Sequence, residues 1–180
     1  LWVAKNDNQV RGVMVAGSTA LLIGAIWLTV YFVQQRNAGN HDAMLLTNSV
    51  MWFKPLNIAF SVGVDGISVV MILLSAIIVF TGTFASWQLE PMKKESFLWF
   101  VLLSSGVFGF FISTDMFTMF MFYEVALIPM YLLIGVWGTG PKEYSAMKLT
   151  LMLMGGSALL VLGILGIYYF SGATTMDVME

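Results

Sequence analysis

One carboxylate in this sequence lies deep inside an apolar segment. Glu124 is the only charge in residues 116–137, and it follows Asp115 by nine positions. At the rise of an α-helix this separation is about 13 Å, which places Glu124 near the centre of a bilayer spanned by the segment. A carboxylate at that depth is costly, so we expect it to face protein or a hydrated cavity beside a cationic or hydrogen-bonding partner.

The environment expected for Glu124 suits proton transfer. Removal from water favours the protonated carboxyl, whereas a nearby cation favours the ionised form. A carboxyl balanced between the two can load and release a proton near neutral pH, which predicts a proton relay. The alternative is a permanently paired or protonated glutamate that only holds helices together. No other acid or base lies deep in an apolar segment, so we expect the partner of Glu124 outside these residues.

Two further residues are candidates near this carboxylate. Pro129 is predicted to kink the helix, because it removes a backbone donor and its ring clashes with the carbonyl of Val125. The kink could equally be a static packing feature. Lys148 is expected to open the next apolar segment. Its ammonium either reaches the cytoplasmic interface or serves as a proton-entry or charge-partner group.

Composition excludes several kinds of chemistry. The sequence has no cysteine and a single histidine, His41, which excludes disulfides, thiolate metal sites, iron–sulfur ligation and a histidine metal cluster. No thiolate-held metal or cluster is therefore expected on this chain. The net charge of -2 gives no reason to expect a nucleic-acid partner.

The composition also predicts a polytopic membrane protein. Hydrophobic residues make up 59% of the chain and charged residues 10%, whereas soluble domains have about 25% charged residues. We predict an all-α membrane fold in which residues 1–180 form a single membrane domain. The predicted spans are 13–33, 66–86, 97–114, 116–137 and 149–170. The third is short, and its glycines and serines predict close packing against other helices.

Basic residues predict the orientation of these spans. Six of them fall on one side of the membrane and two on the other. The first group is Lys5, Arg11, Lys93, Lys94, Lys142 and Lys148, and the second is Arg36 and Lys54. The positive-inside rule puts the first group in the cytoplasm, so the sequence should begin inside and end outside.

The long loop 34–62 should therefore be extracytoplasmic. Apolar residues alternate with small or polar ones from Ile58 to Val64, which is strand periodicity, and Asp65-Gly66 supplies a turn signal. We predict a short β element there, with a loop resting on helix ends as the alternative. Asp115 is expected to cap the N-terminus of the fourth span.

The residues around Glu124 resemble a known family. The run FYEVALIPMY at 122–131, followed by Gly135-Val136-Trp137-Gly138, resembles subunit M (subunit 4) of respiratory NADH-quinone oxidoreductase, complex I. The stretch 63–68 and the run Ala146-Met147-Lys148 are also similar to this antiporter-like family. The multisubunit Na⁺/H⁺ antiporters share the fold.

The resemblance implies a proton-translocating, non-redox subunit that couples NADH oxidation and quinone reduction to proton pumping. It implies fourteen transmembrane helices, of which this chain, interpreted as a fragment, would hold the second to sixth. Glu124 would match the family's essential glutamate, paired with a lysine on a later, broken helix. NADH, flavin, Fe–S clusters and quinone would bind to other subunits.

The expected partners are the antiporter-like L and N subunits, small membrane subunits of the complex and the lipid bilayer. The expected location is the bacterial inner membrane rather than the mitochondrial one. Two alternatives remain open at this point: a subunit of a multisubunit Na⁺/H⁺ antiporter, and a membrane scaffold that transports nothing.

Overall fold

The computed structural model describes residues 7–39, 42, 44–53, 58–86 and 93–171. Predictions on Lys5, His41, Lys54 and residues 172–180 lie outside this part of the chain. The elements in order are α1 (Asp7–Asn37), β1 (Leu45–Phe53), β2 (Ile58–Val64), α2 (Gly66–Ala85), α3 (Lys93–Ile112), α4 (Met116–Trp137) and α5 (Lys142–Ser171).

The five helices form an all-α membrane fold, as the sequence predicts. Each is long and apolar enough to cross a bilayer. Helices that follow one another along the chain pack together, from the α1–α2 pair to the α4–α5 pair. The ends of α1, α2, α3 and α4 that adjoin the two strands are called the hairpin side below.

The predicted β element is present and is larger than the alternation indicated. Strands β1 and β2 pair antiparallel, with Ser49 opposite Ser61 and Val50 opposite Phe60. The alternation predicted only β2. The sequence of β1 does not show the alternation of a regular strand. Its pairing with β2 is irregular after Leu45, because Leu46 takes a left-handed conformation with φ of 57°.

Strand β2 determines where α3 ends. The sequence placed Ser113 and Thr114 in the third span, but α3 stops at Ile112. Ser113 forms a β-bridge with Val62, and the N–H of Thr114 donates to the carbonyl of Ser61 at 3.0 Å. The N–H of Ser113 still donates to the carbonyl of Gly109 at 3.2 Å, but the N–H of Thr114 bonds to β2 instead of continuing the helix.

The main apolar core lies where α1, α2 and the hairpin meet. It contains the buried residues Ala25, Phe32, Leu45, Val64, Val69, Ile72 and Ala76. A smaller cluster of Val10, Met14 and Phe97 joins α1 to α3 at the other end. The hairpin is thus packed against the helices at the point where α2 begins.

Asp65 begins α2 as an N-cap. Its carboxylate accepts a hydrogen bond from the N–H of Ser68 at 2.7 Å. Partial burial raises the pKa of this carboxyl, but hydrogen bonds from Ser68 and neighbouring N–H groups outweigh it, so the pKa lies below its usual 3.8. The folded state therefore favours the ionised form.

We expect Asp65→Ala to lower the free energy of unfolding by about 1 kcal/mol at neutral pH, because it removes the cap. Since the folded pKa is depressed, this stabilisation is present above pH 3.8 and is lost as pH falls through the folded pKa. Thermal unfolding in detergent at pH 7 and at acid pH measures the difference. Asp65→Ser is the control, because its hydroxyl caps at either pH. An alanine variant as stable as the parent at pH 7 would contradict the assignment.

Candidate functional site

Helix α4, which carries Glu124, begins at a well-formed N-cap. Oδ1 of Asp115 accepts hydrogen bonds from the N–H groups of Phe117 and Thr118, both at 3.0 Å. The residue has extended backbone angles, and its side chain is 1% exposed. The N-cap predicted from the sequence is confirmed. It determines where α4 starts and thereby the depth of every residue in it.

Close packing on α3 determines the rotation of α4. A Cβ atom at Gly106 would lie 2.9 Å from Cβ and 3.1 Å from Cα of Ala126, and one at Gly109 would overlap the ring of Phe122. Only glycine permits these approaches, as the glycine content of this segment predicted. Phe122 and Ala126 therefore face α3.

Glu124 lies midway between those two residues, so it projects from roughly the opposite side of α4, given about 100° of rotation per residue. Gly135 shares the side of Glu124, because eleven residues make about three turns. A Cβ at Gly135 would lie 3.6 Å from Cβ of Ala146, which is fully buried on α5. The face of α4 that carries Glu124 is thus the face that meets α5.

At most one of the two carboxyl oxygens of Glu124 has a hydrogen-bond partner in the described part of the chain. Its Oε1 is buried and has no hydrogen-bond partner in the described part of the chain. Extending the antiparallel register from Gly135 and Ala146 places Ser157 at the level of Glu124. Ser157 is 8% exposed, but its hydroxyl donates to the carbonyl of Met154 at 3.0 Å. A buried carboxyl oxygen without a donor suits the neutral acid or a cationic partner supplied from elsewhere.

Pro129 lies on the same helix, and its side chain is among the most completely buried in the chain. Helix α4 continues past it to Trp137. Pro129 has no N–H to donate to the carbonyl of Val125, which follows Glu124 directly. The predicted kink and its role remain predictions.

Lys148 precedes the fifth apolar segment, as expected, but it does not begin the helix. Helix α5 already starts at Lys142, so Lys148 lies nearly two turns into it. Its side chain is exposed, and Nζ lies 5.9 Å from the ring centroid of Tyr144. In the α4–α5 register it is about nine residues, or about 13 Å, from the level of Glu124. The structure does not bring the two together.

Lys142 has a capping role that sequence reasoning missed. Its Nζ donates to the carbonyl of Val136 at 2.6 Å, in the last turn of α4. A cation at this end of a helix stabilises the free carbonyl groups there. Its position directly after Gly140-Pro141, where a new helix starts, was the available signal.

A second group of buried polar residues lies at the hairpin side. It contains Ser61, Ser113, Thr114, Asp115 and Thr118, each at most 8% exposed. The hydroxyl of Thr118 lies 3.3 Å from Oδ1 of Asp115 and 3.4 Å from the carbonyl of Ala59. Only the cap of this group was predicted. No cluster of three metal-ligating residues occurs within the described ranges.

Comparison with known proteins gives a family match and several relatives. Residues 113–180 match the family described as NADH:quinone oxidoreductase/Mrp antiporter, TM. NAD(P)H-quinone oxidoreductase chain 4-2 of Synechocystis sp. is 30% identical over 135 residues, which are 75% of this chain and 24% of the relative. NADH-quinone oxidoreductase subunit M of Rhodobacter capsulatus is 31% identical over 119 residues, 66% of this chain and 23% of the relative.

Solved structures share the fold. One is a chain of respiratory complex I from Thermus thermophilus, with a TM-score of 0.79 at 20% identity, covering 93% of this chain and 33% of that chain. A chain of the Mrp complex from Dietzia sp. gives a TM-score of 0.72 at 20% identity, covering 95% and 31%.

The chain spans about a quarter of the length of these curated relatives. Its five apolar helices and these relatives identify a multi-pass inner-membrane protein. The chain belongs to the NADH:quinone oxidoreductase/Mrp antiporter family of transmembrane proteins.

Proposed function

We propose that this chain is part of a proton-translocating, non-redox membrane subunit of an NADH:quinone oxidoreductase. In this role the enzyme couples NADH oxidation and quinone reduction to proton pumping, and Glu124 loads and releases a proton within the membrane. The proposal is supported by the names of the relatives and by the family match over residues 113–180, a range that includes Glu124.

The observation that carries the proposal is the buried, unpartnered Oε1 of Glu124. The face of α4 that carries it comes close to α5 at Gly135 and Ala146. A carboxyl that already had a buried ion pair would have little reason to change its protonation state. The carboxyl of Glu124 instead needs a partner, and a lysine from outside this chain would provide the second group of a relay.

The cofactors of the reaction are assigned to other subunits of the complex. NADH, flavin, iron–sulfur clusters and quinone would bind to other subunits, since this sequence has no cysteine to hold a cluster. Antiporter-like L and N subunits and small membrane subunits are the proposed neighbours. The excess of basic residues at the ends of α3 and α5 opposite the hairpin supports a cytoplasmic location for that side.

One observation favours a second candidate, a subunit of a cation/proton antiporter: the likeness to the Mrp complex, with a TM-score of 0.72. The two functions predict different responses to sodium. Inverted membrane vesicles that contain the full-length subunit in its complex are suspended in nominally sodium-free buffer. We expect their interior to become acidic when NADH is added. A fluorescent weak base inside the vesicles reports the gradient.

The control is to add Na⁺ to vesicles that hold a pH gradient but receive no NADH. We expect the gradient to persist, because the proposed subunit moves protons only when coupled to electron transfer. Rapid collapse of the gradient by Na⁺, together with no NADH-driven acidification in its absence, would reject the first function and support the antiporter.

A further inference from the structure

Two polar atoms are buried without a hydrogen-bond partner where the hairpin meets α4. They are Oδ2 of Asp115 and Oγ of Ser61. Asp115 is 1% exposed and Ser61 is 3% exposed. The two residues lie on opposite sides of one backbone contact, in which the N–H of Thr114 donates to the carbonyl of Ser61 at 3.0 Å.

The capping role of Asp115 explains only one of its oxygens. Oδ1 accepts from the N–H groups of Phe117 and Thr118 at 3.0 Å and lies 3.3 Å from the Thr118 hydroxyl. Oδ2 contributes nothing to the cap. An N-cap that served α4 alone could be serine or asparagine at a solvated position. Here a carboxyl has been buried although Oδ2 has no well-formed hydrogen bond, the N–H of Ala59 in β2 being its nearest further donor group.

No cation lies in the elements around this carboxyl. Strands β1 and β2, helices α2 and α4, and the part of α3 after Glu95 contain no Lys, Arg or His. The other titratable groups described at this end of the helices are Asp65, Asp42, Arg36 and Tyr31, with Tyr168 and Tyr169 at the end of α5, and the guanidinium of Arg36 lies 5.0 Å from the ring centroid of Phe32. Burial raises the pKa of Asp115, although hydrogen bonds from Thr118, from the N–H of Phe117 and from the N–H of Ala59 in β2 oppose it.

We propose that Asp115 is a proton-binding site, separate from Glu124, that holds β2 against the start of α4. Oδ2 takes a proton from water on the hairpin side and forms an O–H bond, and the same proton returns to water when the carboxyl ionises. The neutral acid brings no charge into this buried contact, whereas the carboxylate would be an uncompensated buried charge beside the partnerless Oδ2 position.

Ionisation should therefore loosen the contact between β2 and the α3–α4 connection. The uncompensated charge would draw in water, and the Thr114 N–H would lose its protected bond to Ser61 more often. Glu124 is about 13 Å further along α4 and is not part of this site.

Hydrogen exchange of the full-length subunit in its complex tests the proposal. Protection of the peptide containing Thr114, corrected for the pH dependence of intrinsic exchange, should be highest at acid pH. It should fall about tenfold or more as pH rises through the raised pKa of Asp115, because the contact then opens more often. Protection that does not change with pH would overturn the proposal.

Variants assign the titration to Asp115. In Asp115→Asn the side chain is neutral at every pH and still caps the helix, so protection should be high and independent of pH. Asp115→Ser is the second variant, which also caps without titrating and should also abolish the pH dependence. Glu124→Gln should keep the parental profile. Retention of the parental profile in both Asp115 variants, or its loss in Glu124→Gln, would show that another group titrates and would refute the site.

Discussion

Glu124→Gln in the full-length subunit should lower NADH-driven proton pumping at least about tenfold while the complex assembles nearly normally. Glutamine has the shape of glutamate and can still form hydrogen bonds, so the packing of α4 should survive. It cannot carry a transferable proton at accessible pH. Quinone reduction should fall with pumping, because the proposed function couples the two.

Other substitutions at Glu124 give a ranked series. Glu124→Asp should be milder, since a carboxylate remains with a shorter reach. Glu124→Ala should be at least as damaging as glutamine, because it also leaves any cationic partner buried and unpaired. Native gels measure the content of the complex, and proton uptake by membrane vesicles measures pumping.

A scaffold that transports nothing predicts another order. If Glu124 only holds helices together, glutamine should be close to normal in activity, and alanine should fail mainly in assembly. A fully assembled glutamine variant that pumps at the parental rate would therefore end the relay proposal. The comparison is meaningful only when activity is normalised to the assembled complex.

Gly106→Leu should strongly reduce the amount of assembled complex. The atoms facing Gly106 include Cα and N of Ala126, both 3.1 Å from an added Cβ, and backbone atoms cannot turn aside as a side chain can. Overpacking of this kind costs about 1–3 kcal/mol or more. A loss of that size lowers the steady-state amount of a protein several-fold. Quantitative immunoblots of native gels measure it.

Two controls separate packing from the change in hydrophobicity. Gly156→Leu, on α5, adds the same side chain where no atom of the described chain lies within 4 Å, and it should reduce assembly much less. The milder Gly106→Ala should be partly rescued by Ala126→Gly, which removes the Cβ atom 2.9 Å away. Parental amounts of complex in Gly106→Leu would show that α3 and α4 are not held as closely as described.

The sequence predicted the features that follow from a single local rule. Apolar length predicted five spans, a carboxylate at a counted depth pointed to Glu124, and a polar residue before an apolar run predicted the Asp115 cap. The glycines of α3 predicted close helix packing in general, but the sequence does not show which residue packs against Gly106. Its partner Ala126 depends on the register between two helices.

Features that rest on long-range contacts were missed or misplaced. Strand β1 was not recognised because Leu46, in a left-handed conformation, breaks the alternation. The third span was extended two residues past the end of α3, because the bridge of Ser113 with Val62 and the hydrogen bond of Thr114 to β2 cannot be read from either segment alone. Lys148 was assigned to the start of α5 because hydropathy marks where a span becomes apolar, whereas the helix already starts at Lys142.

The contact of Phe122 with Gly109 has an evolutionary consequence. The Phe122 ring also meets Phe60 of β2 edge-on, with centroids 6.2 Å apart, so one side chain fills a space bounded by α3, α4 and the hairpin. Positions 109, 122 and 60 share a fixed volume. Among homologues that keep this backbone, a larger residue at position 109 should occur together with a smaller one at position 122. Such paired replacements should be found even where the residues around Glu124 have not changed.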